Sequence, residues 1–194
     1  PFAGERMAIP AEELLARLGV RTPLYAADER HIFAALNDRD RGHFFAVDRE
    51  RGNFLWRVEN VSGWVVAPPL IWEGLFIVGT STADMQRREE GGPYARVDWR
   101  RGGALYAFER AGGAVRFWDE RTGVVRQTPR VEAGVLVVEG EVRSGGFRDE
   151  APWSASAQVE SRFALPAGRL IGRRVRGEAP EGYFRGEPAP ARWS

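Results

Sequence analysis

The sequence predicts an all-β chain preceded by one short helix, and three observations carry that expectation. Gly and Pro are frequent, 23 and 12 of 194 residues, so turn signals fall throughout the chain. From Pro23 onward, short apolar and aromatic runs are cut by Gly, Pro, Asp and Asn, the punctuation of strands and hairpins; 11 Phe, 7 Trp and 4 Tyr feed those runs. The third observation is an internal repeat. Gly42 to Trp56 matches Gly103 to Phe117 at a constant separation of 61 positions, with Ala46 opposite Ala107 and Gly52 opposite Gly113.

The first element, over residues 1–21, contains the helix. Pro10 sits at its start, Glu12 and Glu13 occupy the first turn where carboxylates suit the dipole, and Gly19 follows Leu18 as a stop. Leu14, Leu15 and Leu18 share one face, which predicts a helix lying on the body of the domain; its sharper reading is a docking element for a partner.

Residues 22–176 divide into three similar units, about 22–57, 68–118 and 128–176. Each opens with a Pro-led strand: Thr22 and Pro23 before Ile32 to Leu36, Pro68 and Pro69 before Leu75 to Val78, Thr128 and Pro129 before Val135 to Val138. Each then closes with a hairpin. The third hairpin, Arg162 to Gly172, aligns through Ala164 with Ala107 at a separation of 57, which makes its turn two residues shorter. Gly52, Gly113 and Gly168 supply the turn glycine, Ala46, Ala107 and Ala164 are small where sheets approach, and Trp56 is large enough to wedge against a neighbouring unit. Phe117 takes the place of that tryptophan in the second unit and Gly172 in the third. Four strands per unit make the blade of a β-propeller, so the expected fold is an incomplete β-propeller of four-stranded antiparallel blades. Residues 177–194, with Glu187 and Pro188 leading to Trp193, form a tail or the start of a further blade.

These motifs resemble the pyrroloquinoline-quinone-like β-propeller repeat family, whose blades carry a Gly-led Leu-Tyr-Ala-Leu-Asp hairpin, a Thr-Gly turn and a terminal Leu-Trp. The likeness runs over about residues 22–176 and is strongest over 42–79 and 102–139. Its repeats resemble those of the propeller lipoprotein of outer-membrane protein assembly. The resemblance implies a non-catalytic scaffold or accessory subunit of a larger cell-envelope complex, periplasmic or otherwise extracytoplasmic; the alternative is part of a quinone-dependent propeller oxidoreductase. Quinone enzymes of the family use a full ring of blades, calcium and often a vicinal cysteine pair, so no cofactor residue carries over to this chain.

Three blades fall short of the roughly 4 to 8 that close a propeller. The open ends predict other protein subunits, the same chain or a different one, covering Pro23 to Phe33 at one end and Phe163 to Ile171 at the other. Trp72, Trp99, Trp153 and Trp193 are the candidate interface anchors, because Trp is enriched where interfaces gain most affinity. The polar stretches Ser81 to Val97 and Arg143 to Gln158 read as long loops suited to contacts.

Composition narrows the chemistry. The chain has no cysteine, which removes disulfides, thiolate metal sites and cysteine nucleophiles, and no lysine, which removes phosphate-loop and Schiff-base chemistry. Its 28 basic and 27 acidic residues leave a net charge of +1, so no general affinity for nucleic acid is expected. No run reaches the ~20 apolar residues of a membrane-spanning helix, and membrane association is expected only through partners or a removed anchor. His31 and His43 read as turn or solvated histidines, and Asp38, Asp40, Glu89 and Glu90 as loop carboxylates, so no metal is expected. Gly79 to Ala83 approaches a nucleophile elbow without its final glycine. Arg87, Arg88, Arg100, Arg101, Arg173, Arg174 and Arg176 form clusters that read as solvated faces, with phosphate or anionic lipid as the sharper reading. Asn60 opens a glycosylation sequon that reads as accidental in a bacterial-looking, arginine-only sequence. No catalytic constellation emerges, and no cofactor is expected.

Overall fold

The structure is a computed structural model and describes residues 9–38, 41–62, 64–65, 67–81, 102–148, 151–179, 183–184, 187 and 190–192. Among the described residues three antiparallel sheets follow one another along the chain after a single helix, α1 (Ala11–Arg17). The first blade is β1 (Tyr25–Ala27), β2 (His31–Asp38), β3 (Arg41–Asp48) and β4 (Asn53–Ser62), hydrogen-bonded in that order. The second is β6 (Leu70–Trp72), β7 (Leu75–Ser81), β8 (Gly102–Glu109) and β9 (Val115–Thr122), with β5 (Trp64–Val65) on the far end of β7. The third is β10 (Val124–Glu132), β11 (Val135–Arg148), β12 (Ala151–Ala164) and β13 (Arg169–Gly177), to which β14 (Ala191–Arg192) adds in parallel. First strands of successive blades touch, β1 with β6 and β6 with β10, so β4, β9 and β13 lie at the rim. The fold is a partial all-β propeller.

Continuous apolar runs form the inner strands because both sheet faces are covered. In β2, Ile32 and Ala34 face α1, whereas Phe33 and Ala35 face the second blade. Between the first two blades Phe33, Phe44, Trp56, Phe76 and Phe108 interlock, with Phe33 and Phe76 stacked at 5.3 Å and Phe44 and Phe108 tilted against each other at 5.1 Å. Each such buried ring contributes about 1.5–3 kcal/mol from area alone. Between the second and third blades the residues are smaller: Leu75, Ile77, Leu105 and Ala107 meet Leu136, Val138 and Phe163.

The hairpins repeat more closely in space than in sequence. Gly52, Gly113 and Gly168 have φ of 68°, 72° and 71°, and their N–H groups donate to Asp48 O, Glu109 O and Ala164 O at 2.8, 2.8 and 2.9 Å. All three turns therefore have the same length. Ala46 pairs with Trp56 and Ala107 with Phe117, but their counterpart in the third blade is Arg162, paired with Gly172. The alignment of Ala164 with Ala107 is thus displaced by two residues: Ala164 ends its strand, half-buried, where Asp48 and Glu109 end theirs. Each hairpin also has a β-bulge at the corresponding register position, which leaves Leu55, Arg116 and Ile171 unpaired on the outer strand, and the first hairpin has a second irregularity between Gly42 and Phe44.

Two further expectations are corrected. Arg143 to Gln158 is no loop, because β11 and β12 pair without interruption from Val135 with Ala164 to Arg148 with Ala151. The face of the first blade that carries Ile32, inside the segment expected at an interface, is covered by the chain's own helix. Leu14 and Leu15 are buried against Ile32, Ala34, Phe45 and Val47, with Ile9, Leu18 and Val20 around them. At the other end Phe163 is buried within the chain, stacked on Phe117 at 6.2 Å, while Pro166, Ala167, Arg169 and Ile171 are exposed. The outward face of the third blade is an ionic lattice, with Arg130 2.6 Å from Glu139 and 2.7 Å from Glu132, and Arg162 3.5 Å from Glu160. Arg130 holds the Glu132 carboxyl below its usual range by hydrogen bond and charge. A sheet face covered by such pairs stays wet without penalty, although each exposed pair adds at most about 1 kcal/mol.

Candidate functional site

Blades meet through one repeated contact. Trp56 lies on Gly113 of the next blade's turn, Phe117 lies on Gly168, and Leu14 of α1 lies on Gly52. The helix thus takes the position that a preceding blade's aromatic would occupy. Arg110 reinforces the first junction: its carbonyl accepts the Trp56 indole N–H at 2.7 Å, and its guanidinium pairs with Asp28 of the first blade and lies 5.3 Å from the Phe33 ring centroid. Arg49 stands at the same turn position one blade earlier and donates to Asp28 O at 2.5 Å and to Ile9 O at 3.3 Å, tying that blade to the segment before α1.

Beside this junction, strand turns of all three blades enclose a cleft of about 650 Å³. Leu55, Trp72 and Pro166 give it an apolar lining, and His31, Glu109, Arg110 and Arg116 a polar one. His31 Nδ1 lies 3.5 Å from Asp28 Oδ1 without hydrogen-bond alignment. The rim strands carry the exposed large apolar side chains of the described residues: Leu55 on β4, Val115 and Trp118 on β9, Ile171 on β13. Trp118 is 65% exposed.

At the position of Asp119 the second junction is charged where the first, at Val58, is apolar. On β9 Phe117, Asp119 and Arg121 point one way; in the first blade the place of Asp119 is held by Val58, packed into the aromatic core. Asp119 accepts from Arg173 at 2.9 and 3.1 Å and from Arg121 at 2.8 and 3.0 Å, while Arg173 also donates to Ser161 Oγ at 2.7 Å. Glu187 pairs with Arg121 and lies 3.0 Å from Arg173 Nε. Burial alone would lower the Arg121 pKa, but hydrogen bonds and charge from Asp119 and Glu187 raise it. Burial pushes the Tyr183 hydroxyl, beside these guanidinium groups, up to about 12.

Of the four candidate anchors, Trp72 is half-buried, packed on the second junction and lining the cleft. Trp153 is on β12, where only the main chain is described, and Trp99 and Trp193 lie outside the described residues. Arg173 is not part of a solvated face: its side chain is 3% exposed and paired with Asp119 and Glu187, whereas Arg174 and Arg176 are exposed. The elbow reading of Gly79 to Ala83 fails, since Gly79, Thr80 and Ser81 belong to the central strand β7; the Thr80 and Ser81 hydroxyls bond Ala104 and Val124 main chain. His43 is half-buried in a groove with Phe54 and Arg57. Asp40, Glu89, Glu90, Arg87, Arg88, Arg100 and Arg101 lie outside the described residues, as does the remainder of the Ser81 to Val97 stretch beyond Ser81; the side chains of Asp38 and Asn60 are likewise not described. No group of His, Asp and Glu suited to a metal is present among the described residues.

Sequence reasoning missed Trp118, Asp119, Arg121, Tyr183 and Glu187. The available signal was the alternation itself: charged residues at every second position after Phe117 occupy the buried face of an outer strand, which calls for buried counter-charges.

No protein-family model matches the chain, and no curated protein does. Several solved structures are similar. The quinohemoprotein alcohol dehydrogenase of Comamonas testosteroni is 15% identical with a TM-score of 0.46, over 77% of this chain and 20% of that one. The quinohemoprotein alcohol dehydrogenase ADHIIG of Pseudomonas putida HK5 is 10% identical at 0.43, over 84% and 35%. BamB of Moraxella catarrhalis is 14% identical at 0.26, over 77% and 60%. The chain thus spans a fifth to three fifths of the length of these structures.

Proposed function

We propose that the chain is a non-catalytic interaction scaffold, an accessory part of a larger cell-envelope assembly outside the cytoplasm, that engages protein partners through its rim. The supporting observation is Trp118, 65% exposed on β9 with Val115 beside it on the same strand, while Leu55 and Ile171 project from bulges on the neighbouring rim strands. A large aromatic left in water beside well-filled blade junctions suits an interface anchor. The resemblance of the repeats to those of envelope propellers supports the location.

Photo-crosslinking tests the reading. Benzoylphenylalanine at position 118 should give a discrete protein adduct in cells, and the same group at Arg176 on the third blade should not. A clean monomer with no adduct at 118 sinks the scaffold. Appearance of quinone absorbance or dye reduction on adding pyrroloquinoline quinone and calcium overturns its non-catalytic character.

A further inference from the structure

The charged junction between the second and third blades is built from two parts of unequal attachment. Arg121, Asp119, Arg173 and Ser161 belong to β9, β12 and β13, whereas Glu187, Tyr183 and Phe184 come from the segment beyond β13. Tyr183 fills an apolar socket formed by Val124, Val142, Ala157, Val159 and Val175. Its carbonyl accepts from Arg121 Nη1 at 2.9 Å, and its ring centroid lies 5.8 Å and 5.9 Å from the Arg121 and Arg173 guanidinium carbons. Four residues on, the Glu187 carboxylate bridges both guanidinium groups.

Without that segment the blades would hold two guanidinium groups against one carboxylate, Asp119, next to an open apolar socket. An uncompensated buried cation is costly, so the vacancy selects for an anion. Arg173 Nε lies 3.0 Å from Glu187 Oε2 without the alignment of a hydrogen bond, and it is buried. One donor of this site is therefore incompletely used by its present occupant.

We infer that the groove between the second and third blades is a peptide-binding site for an aromatic residue followed four positions later by a carboxylate, and that Tyr183 and Glu187 occupy it in cis as competitors for a partner segment of the same chemistry. The socket takes the aromatic ring, Arg121 reads its carbonyl, and Arg121 with Arg173 takes the carboxylate. This site is separate from the rim around Trp118 and does not depend on the scaffold reading.

The test uses the full chain carrying Tyr183→Ala and Glu187→Ala, with a fluorescent synthetic peptide of residues 181–190 as the probe. The peptide should bind this variant at least tenfold more tightly than the unsubstituted chain, whose own segment holds the groove at a high effective concentration. Replacing tyrosine by alanine and the second glutamate by glutamine in the peptide should cost at least tenfold, and Arg121→Gln in the protein should do the same. A variant with native near-UV circular dichroism that binds no peptide overturns the proposal, as does equal binding of the intact and altered peptides. If the double variant fails to fold, Glu187→Gln alone retains Tyr183 in its socket. It should then bind the peptide better than the unsubstituted chain, and equal affinity for both would overturn the proposal.

Discussion

The indole of Trp56 rests on Gly113 so closely that a Cβ built there would lie 2.8 Å from Trp56 Cδ2 and Cε3, while the indole N–H donates to the Arg110 carbonyl at 2.7 Å. The contact explains why a glycine ends that turn: positive φ and the absence of a side chain are both required. It is also why the blades stack in register, since the aromatic of one outer strand reads the turn of the next.

Gly113→Ala should therefore destabilise more than Gly134→Ala, although both glycines have φ above 70°. Gly134 has nothing within 4 Å of an added Cβ, so only the left-handed backbone cost of about 1–2 kcal/mol applies. At Gly113 displacement of Trp56 adds about 1–3 kcal/mol. Urea titrations of the two variants check the order, and equal midpoints would remove the docking argument.

Trp56→Ala and Trp118→Ala should separate stability from binding. Trp56 is buried in the first junction, and its loss should cost about 3–5 kcal/mol. Trp118 is largely in water, and its loss should change stability by no more than about 0.5 kcal/mol while removing the partner adduct proposed for the rim. A large stability loss at Trp118 would identify it as packing.

Leu14→Ala should uncover the first blade. The side chain is buried against Gly52 and the apolar face of β2 and β3, so a loss of about 2–5 kcal/mol is expected. Hydrogen exchange should rise in α1 and on Ile32, Ala34 and Phe45 while the second junction stays protected. Uniform exchange across all three blades would show that the helix is not a local cap.

The blades and the helix were legible because their signals are local: Pro10 and Gly19 bracket α1, and turn glycines separated by 61 positions mark two hairpins. The third hairpin misaligned because alanine recurs on both sides of its turn, and only the strand register identifies Arg162 as the partner of Ala107 in the repeat. The helix was expected on the body of the domain, but the blade face it covers, like the ionic face of the third blade, was missed for a shared reason. Both are decided by what lies across a sheet, Leu14 on Gly52 and Arg130 against Glu139, and neither contact has a short-range trace. Candidate anchors chosen by residue type alone could not distinguish Trp72, half-buried, from Trp118, exposed.

Asp119→Ala should be among the most damaging single changes. It leaves Arg173, almost wholly buried, and Arg121 with Glu187 as their sole remaining carboxylate among the described residues, and breaking a buried pair from one side costs about 3–5 kcal/mol. Asp119→Ala combined with Arg173→Met should recover part of that loss, because the double change removes the orphaned charge. A double variant as unstable as the sum of the two singles would mean the groups are not coupled.

Alkaline titration probes the same junction from the Tyr183 side. The folded hydroxyl is held up to about 12 by burial, against 10.0 for an ordinary tyrosine. The folded state thus keeps a proton that the unfolded state releases, so this contribution to stability is fully present below pH 10 and is lost as pH rises toward about 12. A gap of this size corresponds to about 2–3 kcal/mol. Urea midpoints should hold level up to pH 10 and fall above it, and Tyr183→Phe should flatten that fall relative to the parent. Phenolate absorbance at Tyr183, obtained as the difference between parent and Tyr183→Phe, should develop only as the chain unfolds. Ionisation near pH 10 in the folded protein would show that the ring is not buried between the blades, and the ionic junction would lose its apolar floor.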